Sequence, residues 1–165
     1  MTDDASLEFY HGWLNRVPEY LGLVALGVLV AVTYQGAESL PARIPTHFGA
    51  GGAPDSWGPK YMLYMLAGIV AVIYGGLTLL QRTPRIYNYP VRVTDENRAR
   101  LHLIAVGLVR WIKAEMALVF TYIQWAVGQV GTGQAAGLSP AVMIGLVALL
   151  LGTAAFFTGW MVKAR

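Results

Sequence analysis

The run YMLYMLAGIVAVIYGGLTLL, Tyr61–Leu80, holds no charged residue across its 20 positions. A helix that crosses the ~30 Å hydrocarbon core of a bilayer needs about 20 mostly apolar residues, so this run reads as one complete span. Outward from it lie three more apolar runs: Tyr20–Tyr34, Leu101–Val130 with three charges inside, and Ala141–Val162. The first is short for a span unless its helix begins at Pro18 or earlier, and proline is tolerated at the start of a helix because the N–H it lacks has no partner there. Apolar residues make up 56% of the chain and charged residues 13%, with a mean hydropathy of +0.50. Soluble domains carry roughly a quarter charged residues, so this composition leaves too little polar surface for a dissolved fold. The fold class expected is all-α: a multi-pass four-helix membrane bundle over residues 1–165, with spans at about 18–35, 60–80, 101–127 and 140–162.

The N-terminus, MTDDASLEFYHGW, is acidic where a cleavable signal is basic, so no signal peptide is expected. The chain has no cysteine, which excludes disulfides and thiolate metal sites. Its +3 charge does not point to nucleic acid, because the basic residues cluster beside the apolar runs. That clustering sets orientation, since Lys and Arg favour the cytoplasmic side of short loops. The segment 81–100 holds Arg82, Arg85, Arg92, Arg98 and Arg100, and the C-terminus holds Lys163 and Arg165, whereas 131–139 holds none. Both termini and the 81–100 loop are therefore expected in the cytoplasm of a bacterial inner membrane, with loop 40–60 outside. Residues 5–17 place Leu7, Tyr10, Trp13 and Leu14 on one face and read either as an interfacial helix or as a frayed tail.

The third element outruns the bilayer. Thr94 can cap its start, with Asp95 and Glu96 in the first turn, and no breaker cluster appears before Gly128–Gly133. About 35 residues at 1.5 Å each give a helix of ~52 Å. Ahead of it, TPRIYNYPV has two prolines and reads as an extended stretch along the membrane surface. Within the helix, Arg110, Lys113, Thr121 and Gln124 fall within about 60° of one line, a polar stripe expected to face the interior. Arg110 and Lys113 lie near enough to one interface to snorkel. Glu115 points elsewhere, needs a partner on another element such as Arg82, and is a default functional candidate, because a carboxylate in lipid is costly. In the last run, Gly145, Ala148, Gly152, Ala155 and Gly159 alternate steps of four and three, the spacing of a helix-packing seam. It serves packing within the bundle or, in the alternative, contact with another protein.

The loop LPARIPTHFGAGGAPDSWGPK, Leu40–Lys60, is too rich in proline, glycine and aromatics for a flexible tether. It is expected to pack on the outer ends of the spans, with Trp57 largely buried and the His47 ring hydrogen-bonded. His47 and Asp55 are its one titratable pair able to act together, with Phe48 and Trp57 as apolar contacts. Two such residues are too few for a metal site, which takes three or four ligands, and no nucleophile–base constellation accompanies them. No catalytic residue, metal or cofactor is expected. The spacing of Pro45, His47, Phe48, Gly52, Pro54, Asp55, Trp57, Gly58 and Lys60 resembles the signature of the domain of unknown function DUF1648, the N-terminal module of SdpI-like immunity and signalling membrane proteins. The resemblance runs over about Leu40–Trp125. Gly49 and Ala53 stand where the family often has Asn and Glu, and the resemblance brings no catalytic residues with it.

The leading expectation is a non-enzymatic membrane protein whose loop 40–60 recognises a peptide, a lipid or a membrane-protein partner, with membrane lipid around it and another membrane protein or a second copy as its companion. A small transporter using the polar stripe is the alternative, and a membrane enzyme using His47 and Asp55 the third reading.

Overall fold

A computed structural model describes residues 13–83 and 86–165, with side chains from Arg16 onward. The chain is mostly helical: α1 (Trp13–Ser39), α2 (Met62–Leu80), α3 (Arg98–Gly131) and α4 (Pro140–Lys163). A two-stranded antiparallel hairpin, β1 (Arg43–Phe48) and β2 (Pro54–Pro59), joins α1 to α2. Among the described residues three helical stretches are long and apolar enough to cross a membrane: Arg16–Ser39, Met62–Leu80 and Pro140–Lys163. The first starts upstream of Pro18, which supplies the length that its apolar run lacks. The expected interfacial helix lies mostly outside the described residues; its end, Trp13–Val17, forms the opening turns of α1.

α3 is the central element and packs against α1, α2, α4 and β1. Its buried face mixes large side chains (Leu101, Ile104, Val127) with Ala105, Gly107, Ala114, Ala117 and Ala126. Such small residues let neighbouring backbones approach, which is what holds helices together where no water is expelled. Thr94 and Asn97 bond reciprocally ahead of the helix: Thr94 N–H donates to Asn97 Oδ1 (2.8 Å) and Asn97 N–H to Thr94 Oγ1 (3.3 Å). This is the reciprocal pattern of a capping box, with Thr94 in the expected cap role. Asn97, the residue just ahead of α3, makes no side-chain capping bond of its own. At the same end, Tyr87, Tyr89 and Val91 fold back onto a cluster of Leu101, Ile104, Phe157 and Met161. Burial pushes both phenols, Tyr87 and Tyr89, above their ordinary range.

The all-α expectation is corrected by the hairpin. Proline argues against a central strand because it cannot donate to a ladder, but in a two-stranded sheet both strands are edges with N–H groups that need no partner. Pro45 pairs with Trp57, Arg43 with Pro59 and Phe48 with Pro54, with register breaks on both sides of His47. The tip closes through Gly49 N–H to Ala53 O (2.9 Å) and Gly52 N–H to Gly49 O (2.8 Å), with Gly52 at φ +81°.

For the seam on α4, the reading as packing within the bundle is corrected, and the alternative of contact with another protein stays open. Gly145, Ala148, Gly152, Ala155 and Gly159 are all exposed, and a Cβ added at any of the three glycines would meet nothing within 4 Å. The face of α4 turned to α3 is instead the larger one, with Thr153, Phe157 and Met161. Packing within the chain therefore does not account for the stripe of small residues.

Candidate functional site

The hairpin has an anchored face and an open face. On the anchored face, Ile44 joins Leu40, Leu63 and Val127 in a buried cluster, with Phe48 and Ile123 beside it. Lys60 Nζ donates to Ala37 O at 2.8 Å, placing a cation on the last turn of α1, where the helix dipole favours it. The tip is tied to the α3–α4 connection: Leu138 N–H donates to Gly52 O at 2.8 Å, and Gly52 and Gly137 pass so closely that neither has room for a Cβ. Loops 40–60 and 131–139 thus sit at one end of the molecule.

The open face carries three of the four residues singled out in this loop. His47 Nδ1 lies 2.6 Å from Asp55 Oδ1, with both side chains more than half exposed. Asp55 and Trp57 line a shallow depression of about 540 Å³ together with Arg43 and Ser56. Trp57 is 44% exposed, which corrects the expectation that it would be buried. The strand alternation explains this: Ile44 pairs with Gly58, and Trp57, one residue before Gly58 on β2, points to the face opposite the core that Ile44 enters. Arg43 Nη2 donates to Trp57 O at 3.0 Å, so the outer rim of β2 has one carbonyl already capped. Phe48 belongs to the anchored face and does not join the other three.

The polar residues of α3 are committed to other helices. Lys113, 0% exposed, lies 2.6 Å from Glu19 Oε2, donates to Thr78 Oγ1 (2.9 Å) and stands 4.6 Å from the centre of the Tyr74 ring. Arg110 Nε is 3.2 Å from the other oxygen of Glu19. Snorkelling is thereby corrected for Lys113: its charge is met by a carboxylate of α1, and Glu19 is the functional residue that sequence reasoning missed. The signal was present, because Glu19 is the carboxylate that directly abuts the first apolar run. Gln124 Nε2 donates to Thr33 Oγ1 and to Leu63 O, and Thr121 Oγ1 donates to Ala117 O with Ala25 O also in reach at 3.0 Å. Glu115 is buried against α4, where Thr153 Oγ1 donates to its Oε1 at 2.6 Å; its partner is thus Thr153 and not Arg82. Among the described residues no three His, Cys, Asp or Glu side chains converge as a metal site would require.

The hairpin with its flanking helices is also where a family model matches. Residues 22–71 match the family model of DUF1648, a domain of unknown function. The DUF1648 match runs from the early turns of α1 through the hairpin to the middle of α2, and stops short of the stretch to Trp125 over which the sequence resemblance was read. An uncharacterized protein of Archaeoglobus fulgidus is 32% identical over 93 residues, covering 48% of this chain and 51% of the relative. The match thus spans about half the length of that curated relative. No solved structure matches the chain with significance.

Proposed function

We propose that this chain is a non-enzymatic accessory protein of the cytoplasmic membrane, a four-helix bundle with both termini in the cytoplasm, whose hairpin recognises a peptide or membrane-protein partner on the outer side. One observation carries the reading. Asp55 and Trp57, bonded to or paired beside His47 and Pro45, line one open depression, while the opposite face of the same hairpin is fixed to the bundle. An exposed tryptophan beside a hydrogen-bonded His–Asp pair on a rigid support is the composition of an interaction hot spot: it offers large apolar area at little entropic cost. Recognition falls to side chains more than to strand addition, because Pro54 and Pro59 and the capped Trp57 carbonyl blunt the free rim of β2. The partner that fits presents an apolar side chain next to a cation or hydrogen-bond donor for Asp55. An immunity or signalling role of the SdpI-like kind is compatible with such an outward surface. The polar stripe of α3 supports a static hub better than a transport path, because its donors are spent on α1 and α2.

Photo-crosslinking from position 57 in intact membranes, followed by purification in mild detergent, tests the reading. A discrete cross-linked species that Asp55→Ala removes, with the melting temperature unchanged, is expected. Cross-links to lipid alone would overturn it.

A further inference from the structure

Between the anchored face of the hairpin, α2 and α3 runs an apolar groove of about 150 Å³. Phe48 and Thr46 stand at its hairpin end, and Met62, Met65, Leu66 and Ile69 carry it down α2. Met65 and Ile69 are exposed on a helix long and apolar enough to cross a membrane, so the groove opens onto the surface that acyl chains cover. A cavity of this size with such walls accommodates roughly six carbon atoms, by analogy with apolar cavities that hold benzene.

One polar side chain lines the groove away from the hairpin. Gln124 is 1% exposed, and its Oε1 has no hydrogen-bond partner among the described residues. Its amide cannot be turned over to relieve this. Thr33 Oγ1 spends its own proton on Leu29 O, and Leu63 O is a pure acceptor, so both require the N–H₂ side of Gln124. The capacity left over is therefore an acceptor, and an unsatisfied buried acceptor favours whatever donor arrives with an apolar body.

We propose that this groove binds a lipid whose chain begins at a hydroxyl group, of the monoacylglycerol or long-chain alcohol class, with the hydroxyl donating to Gln124 Oε1 and the first carbons lying along Leu66 and Ile69. The geometry selects among lipids by donor. An ester or ether oxygen at the same level faces an acceptor and gains nothing, and an ionised carboxylate meets it with repulsion. This site is separate from the open face of the hairpin and stands or falls without it.

Oleyl alcohol and oleyl methyl ether differ in the O–H donor and share the chain, so their binding to the purified chain in nanodiscs, read by native mass spectrometry, is the decisive comparison. The alcohol is expected to bind about three- to tenfold more tightly, the range of one net hydrogen bond. Equal occupancy by the two overturns the proposal. Because that comparison uses the wild-type chain, it holds even if a Gln124 variant does not fold. Met65→Trp, on the exposed flank, is expected to fill the groove and reduce both ligands at least tenfold; unchanged binding would overturn the location. Gln124→Leu, once shown by its melting curve to be folded, is expected to bind alcohol and ether equally.

Discussion

Lys113 reaches from α3 to Glu19 of α1 with 2.6 Å between Nζ and Oε2, and no part of the lysine is exposed. Removing one member of such a pair strands the other in a medium that cannot solvate it, at a cost of about 3–5 kcal/mol. Glu19→Gln should therefore lower stability in detergent by that order, and more than Lys113→Met, since Glu19 answers two cations, Arg110 and Lys113. The double variant should recover part of the loss. Denaturation of the three variants checks this; additive losses would mean the pair is not coupled.

The hairpin tip offers a control within one loop. Gly52 has φ +81° and no room for a Cβ against the Leu138 carbonyl, whereas Gly51 is open on all sides. Gly52→Ala adds a left-handed conformation penalty of about 1–2 kcal/mol to a backbone clash, and should free the tip from the α3–α4 connection. Gly51→Ala should be neutral. Hydrogen exchange at Leu138 N–H reports the difference directly, and equal protection in both variants would mean the docking contributes nothing.

Substitutions in α4 separate its two faces. Gly152→Leu points into open space and should leave the melting temperature of the isolated chain within a degree or two, whereas Phe157→Ala opens a cavity among Leu101, Ile104 and Met161. That loss should fall at the lower end of the about 3–5 kcal/mol typical of Phe→Ala, because in lipid the transfer from water drops out. Thermal scans of both variants check the order. Should Gly152→Leu instead change the migration of the native species, the seam meets another chain.

Much of this fold was legible in the sequence, and the reasons for the misses differ. Span lengths and the long third helix follow from apolar run length, which the bilayer dimension converts to structure almost directly. His47 and Asp55 were paired correctly because few titratable residues compete within 21 positions of loop. The strand pairing was hidden by Pro45, Pro54 and Pro59, whose penalty applies to central strands and vanishes at edges. The spacing of small residues on α4 did not say which partner its seam meets, and Trp57 was misplaced for a separate reason. Hydrophobicity states that a residue avoids water, and in a membrane protein lipid satisfies that as well as a core does. The Lys113–Glu19 pair links positions 94 apart, beyond any local periodicity.

The charge distribution combined with the contacts at each end predicts an orientation. The Gly52–Leu138 bond puts loops 40–60 and 131–139 at one end, while Tyr87 and Tyr89 meet Phe157 and Met161 at the other. The second end also carries Arg82, Arg92, Arg98, Arg100 and Lys163, against Arg43 and Lys60 at the first. An excess of Lys and Arg in short loops marks the cytoplasmic side, so the hairpin should face outward and Arg92 and Lys163 inward. The chain has no cysteine, so single cysteines can be introduced at 56, 92, 133 and 163 without background. In intact cells a membrane-impermeant maleimide should label 56 and 133 and spare 92 and 163, with all four labelled after permeabilisation. Labelling of 92 before permeabilisation would invert the molecule and put the hairpin in the cytoplasm. Labelling of 133 and 163 together would mean that α4 does not cross the membrane.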